Sequence, residues 1–74
     1  MPYVNIQITK EGGPDNNGAS SQQKRELIAG VTRLLQHVLG KDPSTTHVVI
    51  SEIELDNWGV GGLPVPEYRA KQSE

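Results

Sequence analysis

Apolar and polar residues alternate at the start of the chain, where Val4, Ile6 and Ile8 share one side of residues 3–9. A period of two predicts a β-strand with one strongly apolar face. Residues 10–19 are rich in Gly, Asn and other turn formers and show no periodicity, which predicts a loop. We favour a surface connection for this loop; the alternative is a lid or pocket wall.

A long amphipathic helix is predicted next. Its apolar positions span an arc of about 140°, which indicates a core-facing stripe. These positions are Leu27, Ile28, Val31, Leu34, Leu35, Val38 and Leu39. Ser20 and Gln23 predict a capping box at the start, and Gly40 followed by Pro43 predicts the end. His37 lies off the stripe, so we expect a solvated surface histidine.

A second strand is predicted over residues 47–54. Val48 and Ile50 fall on one face, and Val49 and Ile53 fall on the other, which is typical of a strand buried on both faces. Strand, helix and strand in this order predict a parallel β-α-β unit. One helix covers one face of such a sheet. We therefore expect an α+β subunit whose two-stranded parallel sheet is completed by oligomerisation.

The remaining chain combines glycines with prolines. Residues 59–62 read Gly-Val-Gly-Gly, which permits a tight hairpin after Trp58. Pro64 and Pro66 favour an extended C-terminal tail over residues 63–74, long enough to reach across a neighbouring subunit. The whole of residues 1–74 is predicted to be a single domain.

Composition narrows the function classes. The chain has 74 residues, a formal charge of −2 and no cysteine, so disulfides and thiolate zinc sites are excluded. His37 and His47 lack metal-ligand spacing, which leaves oligomerisation as the expected support for so small a domain. No basic stripe suits nucleic acid, and no apolar run suits a membrane. With no signal peptide visible, we expect a cytoplasmic protein.

Pro2 is the candidate for chemistry. If Met1 is removed, the Pro2 nitrogen becomes a free secondary amine at the start of an apolar strand. An α-amino group titrates at about 7.7–8.0, and an apolar pocket lowers that pKa toward neutrality. Such an amine suits a general base. If Met1 is retained, the nitrogen is a tertiary amide and this role is abolished.

Together these features resemble the 4-oxalocrotonate tautomerase family of short subunits. The similarity covers residues 2–62 and is most specific at Pro2 and at the Gly-Val-Gly-Gly turn after Trp58. The resemblance implies a β-α-β subunit with a C-terminal hairpin, assembled as a hexamer. It also implies a cofactor-independent and metal-independent isomerase, in which the amino-terminal proline moves a proton on a small 2-oxo or enol acid.

Carried over by position, the resemblance implies that Pro2 is the catalytic base. Trp58 either walls the pocket, packs the hairpin, or does both. The family arginine after the first strand is missing, and His47 occupies the position of the second; an imidazole donates fewer hydrogen bonds than a guanidinium. His47 is a candidate for substrate binding or for a structural role at the strand edge. Arg69 is a candidate cation supplied from a neighbouring subunit.

Three functional hypotheses follow. The first is a keto–enol tautomerase of small 2-oxo or 2-hydroxy acids that uses Pro2. The second is a catalytically weak structural subunit of a homo- or hetero-hexamer, favoured by the missing arginines. The third is an unrelated small binding module. By resemblance, dehalogenating relatives in the wider superfamily use a carboxylate near the Gly-rich turn to activate water. Residues 59–61 include no acid, so hydratase or dehalogenase chemistry is less favoured than proton transfer.

Overall fold

The computed structural model of the protein describes residues 1–72. Its elements are, in chain order, β1 (Tyr3–Thr9), α1 (Ser21–Leu39), β2 (His47–Ile53), β3 (Gly59–Val60), β4 (Leu63–Pro64) and α2 (Val65–Gln72). Short 3-10 turns at Pro43–Thr45 and Leu55–Asn57 flank β2. No helix in residues 1–72 is long and apolar enough to span a bilayer.

The two long strands form the predicted parallel pair. Tyr3 lies beside His47 at one end of the pair, and Thr9 lies beside Ile53 at the other. Helix α1 connects them and packs on one face of the sheet. The α+β fold and the β-α-β order predicted from the sequence are therefore confirmed.

The ends of α1 follow the predicted capping chemistry. The Gln23 amide N–H donates to Ser20 Oγ at 3.1 Å, and the Ser20 amide N–H donates to Gln23 Oε1 at 2.9 Å. These two bonds form the predicted capping box. At the other end Gly40 has φ +67°, and its N–H donates to the carbonyl of Gln36 at 2.9 Å. Glycine ends the helix because it adopts this left-handed conformation without strain.

The C-terminal segment confirms one prediction and corrects another. Gly61 and Gly62 both have positive φ and join β3 to β4, as expected for a two-residue hairpin turn. The extended tail predicted over 63–74 is wrong from Val65 onward, since Val65–Gln72 forms helix α2. Pro66 is tolerated because it lies in the first turn, where a backbone N–H has no helical partner. Residues 73–74 of the predicted tail lie outside the described residues.

Helix α2 folds back on its own hairpin and contacts β3, β4 and the turn before them. A Cβ built on Gly61 would lie 3.0 Å from the Tyr68 ring, which shows how closely the helix approaches the turn. Val65 is only 6% exposed and is the one buried apolar side chain in residues 1–72. The hairpin and α2 thus form a small C-terminal lobe.

A single chain leaves much apolar surface uncovered. Its radius of gyration is 15.7 Å, whereas about 11 Å is expected for a compact domain of this length. Its accessible surface is 5421 Å², against about 4,500 Å² expected for its mass. The stripe predicted to face the core is only partly covered, because Leu34, Val38 and Leu39 are 58%, 65% and 59% exposed.

Candidate functional site

The amino-terminal end of the sheet brings Pro2 and His47 together. The His47 amide N–H donates to the Pro2 carbonyl oxygen at 3.0 Å, which extends the parallel ladder by one bond. Pro2 is half-buried and the His47 side chain is exposed. This bond fixes the position of the Pro2 backbone, on which the predicted base depends.

The face of the sheet at this end is polar. Tyr3 and His47 are register partners, so their side chains project from the same face of the sheet. Asn5 lies two residues along on that face, and its Nδ2 donates to Tyr3 Oη at 3.2 Å. Two neutral hydrogen-bonding side chains, those of Tyr3 and Asn5, therefore lie on the same face as His47.

Arg69 lies at the opposite end of the sheet. Its Nη1 and Nη2 donate to Glu11 Oε1 and Oε2 at 2.7 and 2.9 Å, a bidentate ion pair. Thr9 Oγ1 also donates to Glu11, at 2.5 Å. The Arg69 hydrogen bonds, followed by the bond from Thr9, lower the Glu11 pKa from 4.5 to about 2. The same carboxylate raises the pKa of Arg69.

Trp58 lies beside this carboxyl-terminal end, at the start of the hairpin. The Trp58 carbonyl accepts from the Val65 N–H at 2.9 Å, and the Trp58 N–H donates to the carbonyl of Leu55 at 3.2 Å. Trp58 also helps line an open cleft of about 260 Å³, whose other lining residues are Gln7, Ile53, Asn57 and Gly59. Trp58 thus anchors the hairpin through its backbone and lies at a cleft.

The loop over residues 10–19 is anchored to β2 by Glu52. Glu52 Oε2 accepts from the Ala19 N–H at 2.9 Å, and its other oxygen pairs with Lys24 Nζ of α1. The bond from Lys24, followed by that from Ala19, lowers the pKa of Glu52. Gly18 is buried at φ +99°, and any Cβ there would overlap the Glu52 carboxylate. The end of the loop is therefore fixed in place.

A second cleft of about 560 Å³ opens between this loop, the end of β1 and the first turns of α1. Its walls combine apolar, hydroxyl, amide and acidic groups: Ile8, Thr9, Glu11, Gly13, Ala19, Gln23, Glu26 and Leu27. Both charged residues in this set, Glu11 and Glu26, are acids. Sequence reasoning missed Glu11, although an acid in the stretch where the family carries its first arginine was a signal to examine.

The four predicted site residues do not meet within one chain. Pro2 and His47 lie at the start of the parallel strands, whereas Trp58 and Arg69 lie beyond their ends. At about 3.3 Å per residue, Pro2 is roughly 23 Å from Thr9 along the strand. Pro2 and His47 are in contact within the chain, through the hydrogen bond from the His47 N–H to the Pro2 carbonyl oxygen. Within residues 1–72 no group of three or more His, Asp or Glu side chains is arranged to hold a metal ion.

Comparisons with known proteins place the chain among its relatives. The family described as "Tautomerase enzyme" matches residues 2–68. The chain is 53% identical to probable tautomerase K2 of Dickeya dadantii over 73 residues, covering 99% of this chain and 100% of that protein. The chain belongs to the tautomerase family. It is accordingly a tautomerase, an isomerase, as the sequence resemblance implied.

Two further tautomerase relatives bear on fold and chemistry. The crystal structure of DmpI from Helicobacter pylori is 36% identical and superposes with a TM-score of 0.79, covering 93% of this chain and 97% of that one. The 2-hydroxymuconate tautomerase of Comamonas testosteroni is 30% identical over 67 residues, covering 90% of this chain and 95% of that protein. The β-α-β fold with its C-terminal hairpin is therefore a shared fold of the family.

Proposed function

We propose that this tautomerase catalyses keto–enol tautomerisation of small 2-oxo and 2-hydroxy (enol) acids, with Pro2 as general base once Met1 is removed. The observation that carries the proposal is the placement of Pro2. It is half-buried directly before β1, and its carbonyl is held by the His47 N–H at 3.0 Å. A free amine at that position is fixed in space and partly shielded from water, so its neutral form is favoured.

The proposed reaction moves one proton and needs no cofactor. The neutral Pro2 nitrogen takes the proton from the substrate's enol hydroxyl and becomes a secondary ammonium. The electron pair shifts through the conjugated system, and the ammonium returns the proton to a carbon atom. Hydrogen-bond donors lower the barrier by stabilising the negative charge that develops on oxygen between these two transfers.

In this proposal the other predicted residues bind the substrate. His47 donates from the same end of the sheet as Pro2, to the carboxylate or carbonyl group of the substrate. Trp58 provides an apolar wall through its ring, and Arg69 provides positive charge. Because Trp58 and Arg69 lie at the far end of the strands, they would reach Pro2 from another copy of the chain.

We propose accordingly that the enzyme is a hexamer, of one chain or of two related chains, working in the cytoplasm. Support comes from the elongated subunit and from its exposed apolar residues on α1. Val49 is 43% exposed and is the register partner of Asn5, on the face of the sheet that Val4, Ile6 and Ile8 do not share. Apolar surface of this kind is stabilised when other copies cover it.

A second candidate function is a catalytically weak structural subunit of such a hexamer. The pairing of Arg69 with Glu11 favours it, because the guanidinium that would replace a missing family arginine already binds a carboxylate of its own chain. Under this hypothesis a partner chain with its own arginines would carry the activity.

The two candidates are separated by testing the amino terminus. Purified protein of defined intact mass, with and without Met1, is assayed for ketonisation of a simple 2-hydroxy-dienoic acid. Removal of a general base costs about 10²–10⁴-fold, so the form that retains Met1 should lose at least about a hundred-fold in kcat. Pro2→Ala, which keeps a primary amine, should lose less. Equal activity of the two forms would contradict the role of Pro2, and no activity in either would favour the structural subunit.

A further inference from the structure

Glu11 makes the contact with Arg69 that an anionic substrate would otherwise make. Its two oxygens meet two guanidinium nitrogens at 2.7 and 2.9 Å, side by side. This parallel pair of N–H···O bonds is the geometry in which arginine binds carboxylates in general. The edge of Arg69 formed by Nη1 and Nη2 therefore already carries a carboxylate.

We propose that Glu11 determines substrate specificity by occupying Arg69 in place of a second substrate carboxylate, so that the enzyme favours monoacids over diacids. This inference rests on the proposed function, because it concerns the substrate of the same tautomerase. It gives Glu11 an indirect role: the residue acts through Arg69 and takes no part in the proton transfer.

A tethered carboxylate is a strong competitor. Short flexible tethers give effective concentrations in the millimolar range. Glu11 is held further by the hydroxyl of Thr9, which donates to the same Oε2 atom that accepts from Arg69. A substrate carboxylate would therefore need about millimolar concentration to displace Glu11, at or above the upper end of usual KM values.

The cleft beside Glu11 also disfavours diacids relative to monoacids. The cleft of about 560 Å³ beside it is lined by two charged residues, Glu11 and Glu26, both acids. Arg69 offsets the charge of one of them. A substrate with a single carboxylate can place its uncharged end toward this cleft, whereas a diacid would bring its second negative charge toward Glu26.

The test compares an enol monocarboxylate with the corresponding dicarboxylate in the wild-type protein and in Glu11→Gln. The amide has the same shape but carries no charge, so it binds the guanidinium less strongly. Because a charge-assisted bond differs from a neutral one by roughly ten-fold in affinity, Glu11→Gln should raise the diacid-to-monoacid ratio of kcat/KM by about ten-fold. The change should lie in KM for the diacid, with kcat nearly unchanged.

The matched control is Glu54→Gln. Glu54 pairs with Lys10 at 3.2 Å, so this variant removes the same charge and releases a cation next to residue 11 in the sequence. Its ratio should stay within about two-fold of wild type, since exposed pairs of this kind are weak. In Glu11→Gln/Arg69→Gln the ratio should return toward the wild-type value, because the effect requires the guanidinium.

Binding of unreactive acids separates this inference from the proposed function. Calorimetry with glutarate and butyrate should show tighter glutarate binding in Glu11→Gln and no change for butyrate.

An unchanged preference for the monoacid over the diacid in Glu11→Gln, or an equal rise of the diacid-to-monoacid ratio in Glu54→Gln, would overturn the inference. Absence of turnover in the wild-type protein would count against the proposed function alone. If Glu11→Gln does not fold, Glu11→Asp, whose shorter side chain reaches Arg69 less well, should shift the ratio in the same direction.

Discussion

The two ends of the parallel sheet are held by different kinds of contact. At the amino-terminal end, Pro2 and His47 share one backbone hydrogen bond, and the Asn5 and Tyr3 side chains are hydrogen-bonded to each other. At the carboxyl-terminal end, three ion pairs bring together the loop, the helix α1 and the C-terminal lobe. They are Lys10–Glu54, Lys24–Glu52 and Arg69–Glu11.

Because the two ends differ in charge, each suits a different part of the proposed chemistry. A general base works as a neutral amine, and a nearby fixed cation would lower its pKa while a nearby anion would raise it. At the Pro2 end, partial burial favours the neutral form of the free amine that we propose. The charged groups to which we assign substrate selection lie at the other end. The site that we propose then requires the amino-terminal end of one chain beside the carboxyl-terminal end of another.

The largest effect that we predict is the recovery of activity when two variants, each defective at a different end of the sheet, are combined. A form that retains Met1 lacks the base, and Trp58→Ala lacks the apolar wall at the far end of the site; each alone should be far less active than wild type. When the two are refolded together in equal amounts, random pairing should give intact sites at about a quarter of positions. Activity should therefore rise to about 25% of wild type, measured as kcat per total site.

The control for complementation is each variant refolded by itself and then mixed without denaturant. If the co-refolded mixture is no more active than this control, both halves of the site lie in one chain. That result would contradict the arrangement of the site across copies. It would not affect the assignment of Pro2, which the Met1 comparison tests separately.

Local sequence patterns predicted the elements that local chemistry determines. The capping box of α1, the stop at Gly40 and the Gly61–Gly62 turn are each fixed by neighbouring residues, and each was confirmed. Helix α2 was missed because Pro66 was taken as a sign of extension, although the first turn of a helix accepts proline. The apolar pattern of Val65–Gln72 is also weak, so periodicity did not indicate a helix.

The site was predicted only in part, for a physical reason. Pro2 and His47 are brought together by strand register, which follows from the β-α-β order. The contact between Glu11 and Arg69 joins residues 58 positions apart. It depends on how α2 folds back toward the end of β1, and no local pattern encodes that. The acid at residue 11, in the stretch where the family carries its first arginine, was visible in the sequence, but its partner was not.

An effect of intermediate size is expected on stability, from a substitution at the carboxyl-terminal end of the sheet. Gly18→Ala combines a positive φ with overlap of the new Cβ and Glu52, so Glu52 must move and lose its contacts with Ala19 and Lys24. We expect a loss of about 2–3 kcal/mol in the free energy of unfolding, measured by urea denaturation at fixed protomer concentration.

The matched control for this substitution is Gly12→Ala. Gly12 has φ +70° in the same loop, but a Cβ there meets nothing within 4 Å. It should cost only the backbone strain, about 1 kcal/mol. Equal losses in the two variants would show that the contacts of Glu52 do not stabilise this end of the sheet.

The smallest effect that we predict is a pH dependence of stability that belongs to Glu11. Its pKa is about 2 in the folded protein against 4.5 ordinarily, chiefly because Arg69 donates to it. The unfolded chain therefore binds the proton more readily, and stability falls as pH falls. The contribution of Glu11 is fully present above about pH 4.5 and disappears as pH approaches 2. Glu11→Gln should show a shallower loss of melting temperature between these values, although Asp42 and Glu52, whose pKa values are also lowered, keep part of the slope.

Thr9→Val removes only the second-largest hydrogen bond to Glu11, so its loss of melting temperature should lie between that of wild type and that of Glu11→Gln. Identical slopes in wild type and Glu11→Gln would mean that the ion pair with Arg69 does not persist in solution, and that the charged end of the sheet is held by Glu52 instead.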